Sequence, residues 1–347
     1  MNIPISAELE ISNLTQVFNN TSATYKFYWF LSIIDSIESN QREIPKKDLF
    51  IKMLSIPWYT VNYFHLSFGS QDLIQNSIKA LSVIENIGIA EKQDFIRQTL
   101  SYSANAKTKN IISHFDKNVP HWFLSPWFKG SNKNEIYRHS QKLENVVPYA
   151  LYSEKIIIHP KWFNYIKSHA KLLKEFCYWN LTLFLQVRNP SVPDIPNKLI
   201  RPAKRNSLTN QRVQYWNKYL SIKKMVPCIF TGKIIDSNNY CLDHFIPYAF
   251  VSHDLIWNLI PIDPTFNSRK SDKLPLLDRH YLKFFLLQKD AYFTLRQDSK
   301  ITRFAEEYHT VFPVLNDEFD FKQERFLDVI SPLVTTAHNN GFEFLRE

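Results

Sequence analysis

The chain has 347 residues with 42 Lys+Arg against 33 Asp+Glu, a formal charge of +9. That length suggests about two domains, and the sign of the charge points to a polyanionic partner. The five glycines, Gly69, Gly88, Gly130, Gly232 and Gly341, lie far apart, which excludes a P-loop and a dinucleotide-binding glycine fingerprint.

Three cysteines (Cys177, Cys228, Cys241) form no CxxC pair, so neither a disulfide framework nor a four-cysteine zinc site can be assembled. Structural zinc is not expected, and a reducing compartment fits. The N-terminus lacks a basic region followed by a long apolar run, and segments such as FYWFLSII and LTLFLQV are far short of the roughly 18 residues a spanning helix needs. The expectation is a cytoplasmic protein with no membrane partner.

Along the chain, Thr21 to Glu38 sets Phe27, Phe30, Leu31 and Ile34 at helical spacing behind a Thr/Ser cap and predicts an amphipathic helix. Similar patterns predict helices at about 46–56, 71–87, 91–101 and 161–187. KIIIH, residues 155–159, reads as a short strand or a buried turn. The run NPSVPDIPNKLIRP, with four prolines, forbids helix and marks a boundary. From Ile195 to Ile235 nine basic residues occur and no acidic one. Helical patterns resume at about 276–296, 300–311 and 321–338. The fold class expected is mostly α with one small ββα unit: a helical domain over 1–190, a basic linker and helix over 191–225, and a chemistry-bearing domain with C-terminal helices over 226–347.

That unit lies in CLDHFIPYAFVSHDLIWNLIPIDPTFNSRKSDKLP, Cys241 to Pro275. Residues 240–246 have strand composition and stop at Pro247, and 258–262 make a second strand. Asp263 caps a short helix with Pro264 at its first position. His244 suits a general base near neutral pH. Asp243 and Asn267 offer hard oxygen ligands suited to Mg²⁺ or Mn²⁺. Lys270, one turn beyond Asn267, is expected to neutralise a bound phosphate, and Asn258 to hold His244 in orientation. Asp243 and His244, as strand neighbours, point to opposite faces unless the strand twists at its end. Asp254 reads as a turn residue and His253 as a loop-stabilising hydrogen-bonder.

The run resembles the HNH nuclease motif of the ββα-metal (His-Me finger) superfamily, with His244, Asn258 and Asn267 as its three letters. The Asp before the His and the Asn-x-x-Lys-Ser ending are similar to the HNH domain of CRISPR RNA-guided nucleases and to HNH proteins of bacterial phage-defence systems. The resemblance implies a metal-dependent endonuclease acting on DNA, with His244 activating water and Asp243 and Asn267 binding one divalent metal. It implies an antiviral or restriction role, with other defence proteins or a homodimer as partners and the helical domain recognising a partner, a signal or DNA. Relatives often carry two zinc-holding CxxC pairs; here Phe230, Trp257 and Phe266 would have to pack in their place. Arg201, Lys204, Arg205, Arg212, Lys223, Lys224, Arg269 and Lys273 are the expected contacts to the nucleic-acid backbone. The charge should then lie beside the site and leave residues 1–190 near neutral. The alternatives are a nucleic-acid-binding or scaffold subunit with a structural HNH unit, and an RNA-cleaving enzyme.

Overall fold

The computed structural model describes residues 3–199 and 207–346. Arg201, Lys204 and Arg205 lie outside the described residues. The chain forms two compact units, one running to Pro190 and resuming at Lys198, the other built from Ser191–Asn197 and the C-terminal remainder. The described residues are mostly helical, with three small sheets.

At the centre of the N-terminal unit is the helix Tyr25–Glu38. Besides the stripe expected from the sequence it buries Tyr28, Trp29, Ile33 and Ile37, so it is enclosed on all sides and is not a surface amphipathic helix. Its two buried serines cost little, because Ser32 Oγ donates to Tyr28 O at 2.7 Å and Ser36 Oγ to Ser32 O at 2.9 Å. The helix start is satisfied from a distance: Asp72 accepts from Thr24 N and Thr24 Oγ1, both at 2.6 Å, while its other oxygen caps the helix Leu73–Ile84 through Ile74 N. Against the central helix pack Lys46–Ser55 and Ala170–Arg188. The stretch expected as one helix over 161–187 is two, Pro160–Ser168 and Ala170–Arg188, because His169 leaves helical geometry at φ −116°.

KIIIH does form a strand. β1 (Glu43–Pro45), β2 (Tyr149–Leu151) and β3 (Lys155–Ile158) make an antiparallel sheet in the order β1-β3-β2, with Ile44 opposite Ile156 and Tyr149 opposite Ile158. Tyr149 fastens the sheet to the central helix, since Trp29 Nε1 donates to its hydroxyl at 2.9 Å and that hydroxyl donates to Pro120 O at 2.6 Å.

In the C-terminal unit a π-helical turn, Gln211–Trp216, runs into the helix Asn217–Lys223. A two-stranded ladder of β4 (Val226–Pro227) and β5 (Ile234–Ile235) follows, then β6 (Cys241–His244) paired antiparallel with β7 (Leu259–Ile262). The helices Pro264–Lys270, Leu277–Leu295, Thr302–Glu307 and Gln323–Asn339 complete the unit. Its core is aromatic: Phe245 stacks on Phe284 with centroids 3.8 Å apart, and Phe284 lies 5.2 Å from Phe326.

The charge is not distributed as expected. Residues 1–190 contain 21 Lys+Arg against 15 Asp+Glu, so the helical N-terminal stretch carries +6 and is not near neutral. The acid-free stretch, in turn, is partly neutralised by acids from elsewhere in the sequence. Lys218 pairs with Asp298 at 2.6 Å, Lys223 with Asp290 at 2.7 Å and Lys233 with Asp263 at 2.9 Å. Lys198 is fully buried in the N-terminal unit.

Candidate active site

The β6–β7 hairpin and the helix that follows it bring Asp243, His244 and Lys270 together. Its register sets Asp243 opposite Ile260 and His244 opposite Leu259, and β7 leads directly into the helix Pro264–Lys270. That helix starts as the sequence dictates: Asp263 Oδ1 accepts from Thr265 N at 3.0 Å and Pro264 occupies the first turn. Lys233 beside Asp263, together with the amide and hydroxyl of Thr265, holds its carboxyl down at about 2.

Lys270 does not lie where a phosphate would meet it. It is fully buried, its Nζ donating to His244 O at 2.6 Å and lying 3.0 Å from Asp243 Oδ2. It thus ties the helix to two successive residues of β6, which corrects the expectation that it reaches substrate. Burying an ammonium this completely is tolerable only because a carboxylate and a carbonyl share it. The opposite-face problem of strand neighbours is resolved at the strand end. Asp243 stays against Lys270, while the His244 ring is enclosed, with its Nε2 2.9 Å from Asp254 Oδ1 and Tyr248 edge-on at 5.4 Å.

Asn258 holds the loop and not the His244 ring. Fully buried in the turn before β7, it accepts from Ile246 N and donates to Ile246 O, both at 2.9 Å, while its own carbonyl accepts from Phe245 N at 2.7 Å. These three bonds pin the two residues after His244. Behind β7, Gln288 Nε2 donates to Leu259 O at 2.8 Å and in turn accepts from Tyr308 Oη, so the strand carrying the turn is braced from the core.

Asp243 and Asn267 carry oxygen donors of the kind a hard divalent cation takes. Asp243 Oδ2 is enclosed and accepts no hydrogen bond even with the Lys270 ammonium at ion-pair distance, and Asn267 is half-buried on the helix packed against β6. Two protein oxygens with water completing the shell are what Mg²⁺ tolerates. Among the described residues no group of three or more His, Cys, Asp and Glu side chains is placed to hold a metal. Cys228 is buried, its Sγ accepting from Asp263 N at 3.4 Å. Phe230 stacks on Phe266 at 5.1 Å, whereas Trp257 turns away toward His253 and Phe326.

Of the expected nucleic-acid contacts within the described residues, Arg212 lies over the Tyr240 ring at 4.7 Å and donates to Tyr240 O, and Lys223 is paired with Asp290. Lys224 and Arg269 are exposed and Lys273 half-buried. The sequence reading of Asp254 as a turn residue does not account for its carboxylate, which meets the His244 ring, and Gln288 and Glu307 were not singled out. For Asp254 a signal existed: between Phe245 and Trp257, Ser252-His253-Asp254 is the polar interruption of an otherwise apolar and aromatic run. Gln288 and Glu307 sit in helical segments distant in sequence and carry no local mark.

Among the described residues no helix is long and apolar enough to cross a membrane. No curated protein and no solved structure matches the chain. Residues 228–276, the segment spanning β5 to β7 and the capped helix, match the HNH endonuclease family, a likeness that implies nuclease activity and a divalent metal of the kind such nucleases generally use.

Proposed function

We propose that the protein is a divalent-metal-dependent endonuclease that hydrolyses DNA phosphodiester bonds and acts as an effector in bacterial anti-phage defence or restriction. The observation that carries this reading is Lys270. Held between Asp243 and the His244 carbonyl, it keeps a carboxylate suited to metal and an imidazole suited to base catalysis on one strand end, within the HNH-like segment.

In this reading Asp243 and Asn267 hold Mg²⁺ or Mn²⁺, which when bound supplies charge stabilisation to the phosphate. His244 takes a proton from water as the water oxygen bonds to phosphorus and the bond to the 3′ oxygen breaks; the leaving oxygen takes a proton from solvent, giving a 5′-phosphate and a 3′-hydroxyl. Asn258 fixes the loop after the base, and Lys270 positions both chemical residues without touching substrate. Lys224, Arg269 and Lys273 supply contacts to the DNA backbone. The N-terminal unit, whose residues 1–190 carry +6, recognises a partner, a signal or the DNA, and the assembly involves other defence proteins or a second copy of the chain.

Nicking of supercoiled plasmid by the purified protein in Mg²⁺ or Mn²⁺, abolished by EDTA, is the expected result. His244→Ala lowers the rate by about 10²–10⁴-fold, the usual span for a general base. A His244→Ala protein that nicks at the wild-type rate overturns the assignment. Cleavage confined to RNA in the parallel arm identifies the RNA-cleaving alternative, and cleavage of neither favours the scaffold.

A further inference from the structure

We infer that Asp254 is a positioning residue that fixes the His244 ring with its proton on Nε2 and its lone pair on Nδ1. This inference rests on the reading of His244 as the base and goes beyond it by assigning the nitrogen that does the work. A carboxylate accepts hydrogen bonds and does not donate them, so the 2.9 Å contact between Asp254 Oδ1 and His244 Nε2 requires the hydrogen on Nε2. The proton taken from water would then go to Nδ1. The contact is shielded, the His244 side chain being 1% exposed and that of Asp254 14%. In such surroundings the bond sets both tautomer and ring orientation, as an outer carboxylate does for a metal-bound imidazole.

The loop that delivers Asp254 is fastened on both sides. Gln211 Nε2 donates to the Asp254 carbonyl at 3.3 Å, and two residues later Ile256 N donates to Glu307 Oε2 at 2.6 Å. Ser252, two residues before Asp254, takes the left-handed conformation at φ 57°, which turns the chain out of the helix Tyr248–Val251 and back toward the His244 ring. A residue placed only to end a turn would need none of this bracing. Its carboxylate would also have no reason to face a buried ring.

The test combines kinetics with a measurement that needs no activity. In the full-length protein, Asp254→Asn preserves size and an acceptor oxygen while letting the side chain donate instead, so both tautomers become possible. We expect kcat for plasmid nicking to fall about 10–100-fold with KM changed less than about twofold, and Asp254→Glu to recover part of the loss. Long-range ¹H–¹⁵N correlation on histidine-labelled protein, with the His244 signal assigned by its loss in His244→Gln, should show the Nε2–H form in the wild type and a mixture in Asp254→Asn. A wild-type His244 in the Nδ1–H form, or an Asp254→Asn enzyme within twofold of wild-type kcat, overturns the inference. Full activity in His244→Ala sinks the reading of His244 as the base instead, and the tautomer still decides what Asp254 does to the ring.

Discussion

The central helix of the N-terminal unit and the β6–β7 hairpin of the C-terminal unit are both enclosed, and they are enclosed with different chemistry. Around Tyr25–Glu38 the buried serine hydroxyls return to the backbone of the same helix, and the buried carboxylate, Asp72, serves two helix starts. At the hairpin the enclosed groups are Lys270, Asp243, His244 and, one loop away, Asp254, which pair with one another. Hydroxyls and caps stabilise a fold at small cost. An enclosed set of ionisable groups is expensive to bury, which makes this cluster the candidate for the place where chemistry is done.

That contrast can be broken first at Lys270. Lys270→Met strands Asp243 without its partner, and removing one member of a buried pair typically costs about 3–5 kcal/mol. Urea unfolding should show that loss together with loss of nicking; a variant that keeps wild-type stability would show the pair to be dispensable. Trp29→Ala should cost a similar or slightly smaller amount, about 3–5 kcal/mol from lost packing around the freed Tyr149 hydroxyl. Its effect on nicking at a temperature where the protein stays folded should be less than about twofold, and a large kcat effect there would mean that the two chemistries are not separable.

Acid sharpens the comparison further. Burial, aided by Lys133, holds His121 in the N-terminal unit down at about 4, below its ordinary 6.5. The fold therefore holds the neutral ring, and stability complete above pH 6.5 is lost as pH falls from there toward 4. His159 is shifted in the same direction by burial, as is His280 in the C-terminal unit. The cap at Asp263, held at about 2 by Lys233, contributes stability that is present above its ordinary 3.8 and is lost only as pH falls toward 2. The urea midpoint should thus begin to drop near pH 6.5, and His121→Phe should flatten that early fall while leaving the later one. The smallest expected effect is on binding. Arg269→Ala should reduce the slope of log affinity for DNA against log salt by about 1, and Lys218→Ala, whose ammonium is already matched by Asp298, should leave it unchanged.

What could be read from the sequence was what is decided locally. The Asp263-Pro264 start of the helix, the two strands around the loop and the KIIIH strand each follow from a handful of adjacent residues. The helix break at His169 was missed because the apolar pattern continues across it. The all-round burial of Tyr25–Glu38 was missed because a stripe of four positions was counted and the aromatics between them were not. The partners of Lys218, Lys223 and Lys233 lie 80, 67 and 30 residues away, so an acid-free window could not reveal how much of its charge is matched. Lys270 was assigned to the solvent side because helical spacing places it with Asn267; its inward turn depends on the enclosed carboxylate it meets.

The register of the N-terminal sheet has a consequence for synthesis. Ile44 waits for Ile156, so the first unit cannot close its sheet until the chain has grown past residue 158, and its closure entropy is that of a long loop. His244 and Leu259, by contrast, are joined across a short loop and can pair as soon as both exist. During translation the sheet of the half made first is therefore slow to settle, while the hairpin of the half made later assembles from neighbours. The β6–β7 hairpin is thus the later of the two elements to emerge and the quicker to close.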